Sequence, residues 1–251
     1  MIKAIIFDLD GTLVQTEVLK AESYAKAAVE LNPSLSEEEV VEGFKEFVGL
    51  SRKEVAKGLL KKFDLTDAAT ARIKEFDVAK PWQAYIDIRL GIYYKMVSDP
   101  EIIKEHLCLD NLALLKWARS EGYPTGLGTM SHRQEAYKVL DVLGIRSEFD
   151  VINTIQDVEH GKPDPEIYNL IAEELRVEHS EAIAVEDSYS GVKAALTAQI
   201  SCVAVPSDFT RTAVHKIPPA DNYVVVDNQS ELLDTVKEFI SKLNSEGEKV
   251  N

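Results

Sequence analysis

The sequence predicts an α/β fold, a doubly wound parallel sheet into which an all-helical segment is inserted. Residues 4–7, Ala-Ile-Ile-Phe, form a short apolar run that is typical of a buried parallel strand. From about residue 109 onward, helical and strand patterns alternate, which indicates a parallel sheet with helices on both faces. Residues 17–95 show helical patterns only. We therefore expect an α/β core domain of residues 1–16 and 96–251, and an inserted helical domain of residues 17–95.

Within residues 17–95, two capping boxes mark helix starts, Ser36 with Glu39 and Ser51 with Glu54. Apolar residues follow at helical spacing, namely Val40, Phe44, Phe47, Val48, Val55, Leu59 and Phe63. An insertion directly after the first strand would lie over the carboxyl edge of the sheet. We therefore expect a cap domain.

The second half of the chain supplies the remaining strands and helices of the core. In chain order, the pattern predicts helix 109–121, strand 124–129, helix 131–143, strand 149–153, a helix opened by Asp164-Pro165, strand 182–185, helix 190–198, strands 202–205 and 223–226, and helix 232–243. The isolated first strand is expected to join the same sheet.

Composition excludes several classes of function. The formal net charge of −15 argues against binding of nucleic acid, because a polyanion requires a basic surface. We find neither an apolar stretch that could span a bilayer nor the pattern of a secretion signal. Cys108 and Cys202 are far apart and are expected to be buried free thiols, which suits a reducing cytoplasm. A monomer is the simplest expectation for a protein with a moving cap.

Two aspartates directly follow the first strand, in Asp8-Leu9-Asp10-Gly11-Thr12. Residues i and i+2 of a strand point to the same side, so both carboxyl groups can face one crevice. Like charges this close repel each other unless a cation or a shared proton relieves them. Bound Mg²⁺, which prefers oxygen ligands, would do so. The alternative is an acidic turn without a ligand.

Three further polar signals lie at or near predicted strand ends. Thr129 is followed by Met130-Ser131, where backbone N–H groups could hold a phosphate. Lys162 lies in a segment stiffened by two prolines, and Glu186-Asp187 follows the strand 182–185. Each signal has a structural alternative, because Thr129 and Ser188 could be helix N-caps and Lys162 a surface charge. Their convergence on one edge of the sheet favours a functional site.

Together these elements resemble the haloacid dehalogenase superfamily, in its branch of phosphatases and phosphomutases with a small helical cap. The resemblance covers essentially the whole chain and implies a Rossmann-like core. The matching motifs are Asp8-Leu9-Asp10-Gly11-Thr12, Thr129-Met130-Ser131, Gly161-Lys162-Pro163-Asp164-Pro165 and Glu186-Asp187-Ser188.

The resemblance implies a phosphatase mechanism that passes through an aspartyl phosphate. Asp8 would attack phosphorus, and Asp10 would act as the general acid and then the general base. Mg²⁺ would be held by the Asp8 carboxylate, the Asp10 backbone carbonyl and Asp187, with Glu186 as a further ligand, directly or through water. Thr129 and Lys162 would hold the phosphoryl oxygens. The other candidate phosphate-binding residues are Gly11, Thr12, Met130 and Ser131.

The substrate is expected to be a small phosphorylated metabolite, of the sugar phosphate or phosphoglycolate type. In an acidic chain, the part of an anionic substrate remote from the reacting phosphate needs a cationic side chain nearby. The candidates in the inserted domain are Arg52, which follows Gly49 in the same loop, and Arg89. The alternative is that both arginines are solvated or paired with Glu54 or Asp87.

A β-phosphoglucomutase-like activity is the main alternative. The segment Gly49-Leu50-Ser51-Arg52 resembles the substrate loop of that mutase. The resemblance fails at Lys20, where the mutase has an assisting histidine, and at Val48, where it has a lysine. Thr12 is commoner among the phosphatases, and Gln15 replaces the acid usual at its position. A non-catalytic binding module is a remote third possibility, which the intact acidic residues disfavour.

Overall fold

The computed structural model describes residues 1–48 and 50–248. Contacts divide the chain into two compact units, one of Met1–Gln15 with Ile103–Asn251 and one of Thr16–Ile102. We call them the core unit and the helical unit. The boundary expected at residue 95 falls inside a continuous helix, Pro81–Ser98.

The core unit contains a six-stranded sheet whose neighbouring strands all pair in parallel. The strands are β1 (Ala4–Phe7), β2 (Thr125–Gly128), β3 (Val151–Asn153), β4 (Ala182–Glu186), β5 (Ser201–Ala204) and β6 (Tyr223–Val225). Their order in the sheet is β3-β2-β1-β4-β5-β6. The predicted α/β fold with a doubly wound parallel sheet is confirmed.

Strand β1 lies in the middle of the sheet, between β2 and β4, and all of its residues are buried. The chain builds the sheet outward from β1 to β3 on one side and then from β4 to β6 on the other. The order therefore reverses between β1 and β4. In open α/β sheets, a crevice for ligands forms at the carboxyl ends of the strands beside such a reversal.

The helical unit consists of α1 (Thr16–Leu31), α2 (Glu37–Phe44), α3 (Arg52–Lys62), α4 (Thr66–Ala71), α5 (Pro81–Ser98) and the first residues of α6 (Pro100–Glu105). Ser36 caps α2 by accepting the Glu39 N–H, and Ser51 with Glu54 forms a complete capping box on α3. The apolar interior includes Tyr24, Phe44, Leu59 and Tyr85.

The helices of the core unit are α7 (Leu109–Ser120), α8 (Arg133–Leu143), α9 (Glu166–Leu175), α10 (Tyr189–Thr197), α11 (Arg211–Val214) and α12 (Leu232–Glu248). Helix α8 begins at Arg133, so the prediction that a helix starts at Ser131 is wrong. Residues 129–132 form a loop, and His132 rather than Thr129 is the N-cap of α8. Ser188 is the N-cap of α10, the structural alternative given for it, because its hydroxyl accepts the Gly191 N–H.

Two further expectations concern the thiols and the membrane. Cys108 and Cys202 are both buried and free, as predicted. Across residues 1–48 and 50–248, every helix is too short or too polar to cross a membrane.

Candidate active site

Three carboxylates meet at the carboxyl ends of the central strands β1 and β4. Asp8 directly follows β1, Glu186 ends β4 and Asp187 directly follows it. The Asp8 N–H donates to the Val185 carbonyl at 3.0 Å, which continues the pairing of the two strands to the site. One carboxylate oxygen from each of the three residues lies within 4.8 Å of the others. We call Asp8, Glu186 and Asp187 the acidic cluster, and all three are buried.

The donor set of the acidic cluster fits Mg²⁺. Buried carboxylates are hard anionic ligands, and placing three of them together is costly without a cation to compensate their charge. The side chains expected to hold the metal, those of Asp8, Asp187 and Glu186, are therefore brought together. The carboxylate of Asp10 is not one of this set and accepts hydrogen bonds from the loop that follows β2.

Lys162 places a positive charge next to the acidic cluster. Its Nζ donates to Asp8 Oδ1 at 2.7 Å, to Glu186 Oε1 at 2.5 Å and to the Gly128 carbonyl at 2.8 Å. Its side chain is only 3% exposed, so the alternative of a surface lysine is wrong. Burial opposes the charged form, but Asp8 and Glu186 outweigh this effect and raise the pKa of Lys162 above its ordinary value.

The ionised form of Asp8 is disfavoured by its surroundings, although Asp8 is paired with Lys162. Burial is the largest effect on its pKa, and the negative charges of Glu186 and Asp10 act in the same direction. Lys162 opposes them only in part, and the pKa of Asp8 is raised from 3.8 to about 8. A cation bound at the acidic cluster would favour the ionised form of Asp8, which is the nucleophilic form.

Asp10 is brought together with the loop that follows β2. Thr129 Oγ1 donates to Asp10 Oδ2 at 2.9 Å, and Ser131 Oγ donates to the same oxygen at 2.6 Å. The Ser131 N–H in turn donates to Thr129 Oγ1 at 3.0 Å. Met130, between them, accepts the Lys162 N–H on its sulfur at 3.3 Å. The loop thus connects the second aspartate to the lysine segment.

Gly11 allows the chain to turn beside the acidic cluster. Its φ is +84°, a left-handed conformation that side chains with a Cβ rarely adopt, and an added Cβ would lie 2.3 Å from Asp187 Oδ2. Thr12 is fully buried, and its hydroxyl has no hydrogen-bond partner within the described part of the chain.

Three residues of the site were missed at the sequence level. The Tyr168 hydroxyl donates to Glu186 Oε1 at 2.6 Å, and Lys162 Nζ lies 5.2 Å from the centre of the Tyr168 ring. Gly191 of α10 packs against Glu186, and Thr210 donates to Asp187. Tyr168 lies six residues after Lys162 on the buried face of α9, a position that a helical projection could have found. We see no comparable sequence signal for Thr210.

The candidate substrate residues of the helical unit have different environments. Gly49 lies outside the described residues. Arg52 is the first residue of α3 and is partly exposed. Arg89 is only 2% exposed: its Nε donates to Ser23 Oγ at 2.8 Å, and its guanidinium lies 4.4 Å from the centre of the Tyr93 ring. The alternative that Arg89 is solvated is therefore wrong.

Several known proteins are similar to this chain. A phosphorylated carbohydrates phosphatase from Thermotoga maritima is 28% identical over 198 residues, which cover 79% of this chain and 82% of that protein. Pyrophosphatase PpaX from Bacillus velezensis is 31% identical over 77% of this chain and 78% of its own length. CbbY from Rhodobacter sphaeroides, crystallised with xylulose-1,5-bisphosphate, is 25% identical with a TM-score of 0.67, over 92% of this chain and 96% of that one.

The family itself is shown by a model that matches most of the chain. Residues 2–199 match the haloacid dehalogenase-like hydrolases, a range that includes the acidic cluster, Asp10, Thr129 and Lys162. The resemblance inferred from the motifs and the expected class of enzyme, a hydrolase, are confirmed. This chain belongs to the haloacid dehalogenase-like hydrolases.

Proposed function

We propose that this hydrolase is a Mg²⁺-dependent phosphatase that cleaves a small phosphorylated metabolite through an aspartyl phosphate on Asp8. One observation carries the proposal. The Asp8 carboxylate is buried beside Lys162 within the acidic cluster, at the carboxyl end of the central strand. A nucleophile for an anionic phosphate must be shielded from charge repulsion, and this arrangement supplies cationic charge on one side and ligands for a metal on the other.

In the first step, an oxygen of Asp8 would attack phosphorus and displace the alcohol of the substrate. Asp10 would donate a proton to the departing oxygen, and Thr129 and Lys162 would donate hydrogen bonds to the phosphoryl oxygens. Mg²⁺ held by Asp8, Asp187, Glu186 and the Asp10 backbone carbonyl would neutralise charge on the phosphoryl group and the nucleophile. The hydrogen bond from Ser131 to Asp10 supports this role, because it holds the carboxyl group beside the proposed phosphate loop. The Thr129 hydroxyl has a single proton, which it donates to Asp10 here and would turn toward the phosphoryl oxygen when substrate binds.

In the second step, water would attack the phosphorus of the aspartyl phosphate. Asp10, now ionised, would accept a proton from that water. The bond between Asp8 and phosphorus would break, which releases inorganic phosphate and regenerates the Asp8 carboxylate. Lys162 would remain paired with Glu186 throughout, so its charge would stay close to the reacting group.

The relatives support a phosphorylated carbohydrate as the substrate, with phosphoglycolate as a further candidate. One is named for phosphorylated carbohydrates, and CbbY is crystallised with a sugar bisphosphate. Arg52 and Arg89 are our candidates for binding the part of the substrate remote from phosphorus. Gly11, Thr12, Met130 and Ser131 are the further candidates around the phosphate.

We also propose a monomeric cytoplasmic enzyme that binds neither nucleic acid nor membranes, which the net charge and the buried free thiols support.

A sugar phosphomutase is the second candidate function. β-Phosphoglucomutase from Clostridium difficile has the same fold, with a TM-score of 0.69 and 24% identity over 98% of each chain. Lys20 stands where the mutase has its assisting histidine, and its ammonium group is paired with Glu17 at 2.8 Å. A lysine held in this way is a poor substitute for a histidine that titrates near neutral pH, so we favour the phosphatase.

A phosphate-release screen over a panel of phosphorylated metabolites with Mg²⁺ tests the proposal. We expect release from at least one sugar phosphate or from phosphoglycolate, and loss of that release in excess EDTA. Glucose 1-phosphate with a bisphosphate primer should be included, because conversion to glucose 6-phosphate would identify a mutase. Absence of turnover from all substrates would instead favour a binding module.

A further inference from the structure

We propose that Thr210 is a positioning residue that holds the Asp187 carboxylate in the orientation required to bind Mg²⁺. The proposal rests on the proposed function, because it assumes that Asp187 is a metal ligand. It adds a residue that follows β5, outside every motif of the sequence. The Thr210 hydroxyl donates to Asp187 Oδ2 at 3.3 Å.

The pairing of β4 with β5 explains how this distant residue reaches the site. The Val205 N–H, just after β5, donates to the Glu186 carbonyl at 2.7 Å. The following loop then turns back on itself, since the N–H groups of Thr210 and Arg211 both donate to the Ser207 carbonyl, at 3.1 and 2.9 Å. This turn brings the Thr210 side chain against the residue that follows β4.

The hydrogen-bond pattern directs the Thr210 hydroxyl proton toward Asp187. A hydroxyl has one proton and two acceptor sites. Thr210 Oγ1 accepts the Ser207 N–H at 3.0 Å, and the Ser207 hydroxyl lies 3.2 Å away, in a contact to which either hydroxyl can donate. The Thr210 proton can then be donated to Asp187 Oδ2 at 3.3 Å or to the Ser207 carbonyl at 3.5 Å, and the shorter contact to a charged acceptor favours Asp187. Thr210 is 8% exposed and Ser207 is 7% exposed, so water competes little for these groups.

Asp187 needs such a donor because of the charges around it. The acidic cluster places its carboxylate close to those of Asp8 and Glu186, and their repulsion favours rotation away from the other ligands before a metal binds. Oδ2 is bounded on another side by Gly11. A hydrogen bond from Thr210 to the same oxygen stabilises the ionised Asp187 and limits its rotation. Partners of this kind commonly affect metal affinity by about 10- to 100-fold.

The experiment compares Mg²⁺ binding in Thr210→Val, Thr210→Ser and wild type. Valine preserves the shape of threonine and removes the hydroxyl, whereas serine retains it. Binding is measured without turnover, from the rise in unfolding temperature during a MgCl₂ titration. We expect Thr210→Val to weaken Mg²⁺ binding about tenfold and Thr210→Ser to stay near wild type. At saturating Mg²⁺, kcat of Thr210→Val should recover toward the wild-type value.

Thr154→Val is the matched control. Thr154 is likewise a buried threonine whose hydroxyl donates to an aspartate, Asp157, at 2.8 Å, but Asp157 is paired with Arg133 and lies outside the acidic cluster. This variant should lose stability without losing Mg²⁺ affinity. Equal weakening in Thr154→Val and Thr210→Val would mean that loss of stability explains the effect, and would overturn the proposal.

Two other results have distinct meanings. If wild type binds Mg²⁺ and Thr210→Val binds it equally well, the positioning role is wrong while the proposed metal site stands. If wild type is not stabilised by Mg²⁺ at any concentration, the metal assignment in the proposed function is wrong, and the role of Thr210 is wrong with it.

Discussion

A Cβ atom on Gly191 would lie only 2.0 Å from the carboxyl carbon and from both carboxylate oxygens of Glu186. Gly191 is in α10, where glycine is less favourable than alanine by roughly 0.5–1 kcal/mol. The helix therefore retains a poor helix former where the carboxylate requires the space. Because Glu186 in turn accepts a hydrogen bond from Lys162, this close approach also determines where the cationic group lies.

The first prediction concerns this contact. Gly191→Ala should displace Glu186 and with it Lys162, and so lower kcat by about a hundredfold, as expected for a shift of about 1 Å among catalytic groups. The control is Gly91→Ala in α5, where an added Cβ meets nothing within 4 Å. That variant should keep full activity and unfold at the same or a higher temperature. Wild-type kcat in Gly191→Ala would show that Glu186 need not occupy this position.

The second prediction concerns the nucleophile. Asp8→Asn should abolish turnover, because an amide does not attack phosphorus usefully. The fold should persist, since asparagine has nearly the same volume as aspartate. Circular dichroism and phosphate release on the best substrate of the screen measure the two effects. Ordinary phosphatase activity from the pure, folded variant would exclude Asp8 as the nucleophile.

The third prediction concerns the pH dependence of stability in EDTA. The pKa of Asp8 is about 8 in the folded protein against an ordinary value of 3.8. At a pH between these two values, the folded state therefore keeps a proton on Asp8 that the unfolded chain releases. The contribution of Asp8 to stability is thus fully present below about pH 4 and is lost as the pH rises through 8. Asp8→Asn should lack this loss.

Urea unfolding at several pH values between 5 and 8 measures that difference. The free energy of unfolding of wild type should fall relative to that of Asp8→Asn as the pH rises. Parallel curves for the two proteins would contradict the raised pKa. Addition of Mg²⁺ should reduce the difference, because a cation at the acidic cluster favours ionised Asp8.

The fourth prediction concerns substrate recognition by Arg52. If Arg52 binds the part of the substrate remote from phosphorus, Arg52→Ala should lower kcat/KM on the true substrate by about thirtyfold, the effect of losing a charge-assisted contact of about 2 kcal/mol. p-Nitrophenyl phosphate, which has no matching distal group, should be affected much less. Equal losses on both substrates would indicate that Arg52 supports folding or motion of the helical unit.

Arg89 shows why burial changes such an interpretation. The sequence offers it as a charge available to a substrate, with solvation or pairing to Asp87 as the alternative. In the structure, its Nε is bound to Ser23 and its guanidinium lies against two tyrosine rings. Arginine in aromatic surroundings also stabilises through packing, so Arg89→Ala is expected to lower stability whatever its role in binding.

The sequence by itself determined the fold class and the motif positions, because both depend on local patterns. Alternating helix and strand patterns predict a parallel sheet, and Asp8, Glu186 and Asp187 are recognisable as acids at strand ends. The prediction that a helix starts at Ser131 was wrong because it also depended on local patterns alone. The periodicity near that residue does not show that the hydroxyls of Thr129 and Ser131 bind Asp10, which keeps residues 129–132 in a loop.

Only the tertiary structure decided which distant groups support these acids. Thr210 reaches Asp187, and Gly191 makes room for Glu186, because β4 and β5 pair in one particular register and α10 packs against the end of β4. Hydrogen bonds between segments far apart in the chain leave no periodic trace in the sequence. They arise when the sheet forms, since the pairing of strands fixes which side chains become neighbours.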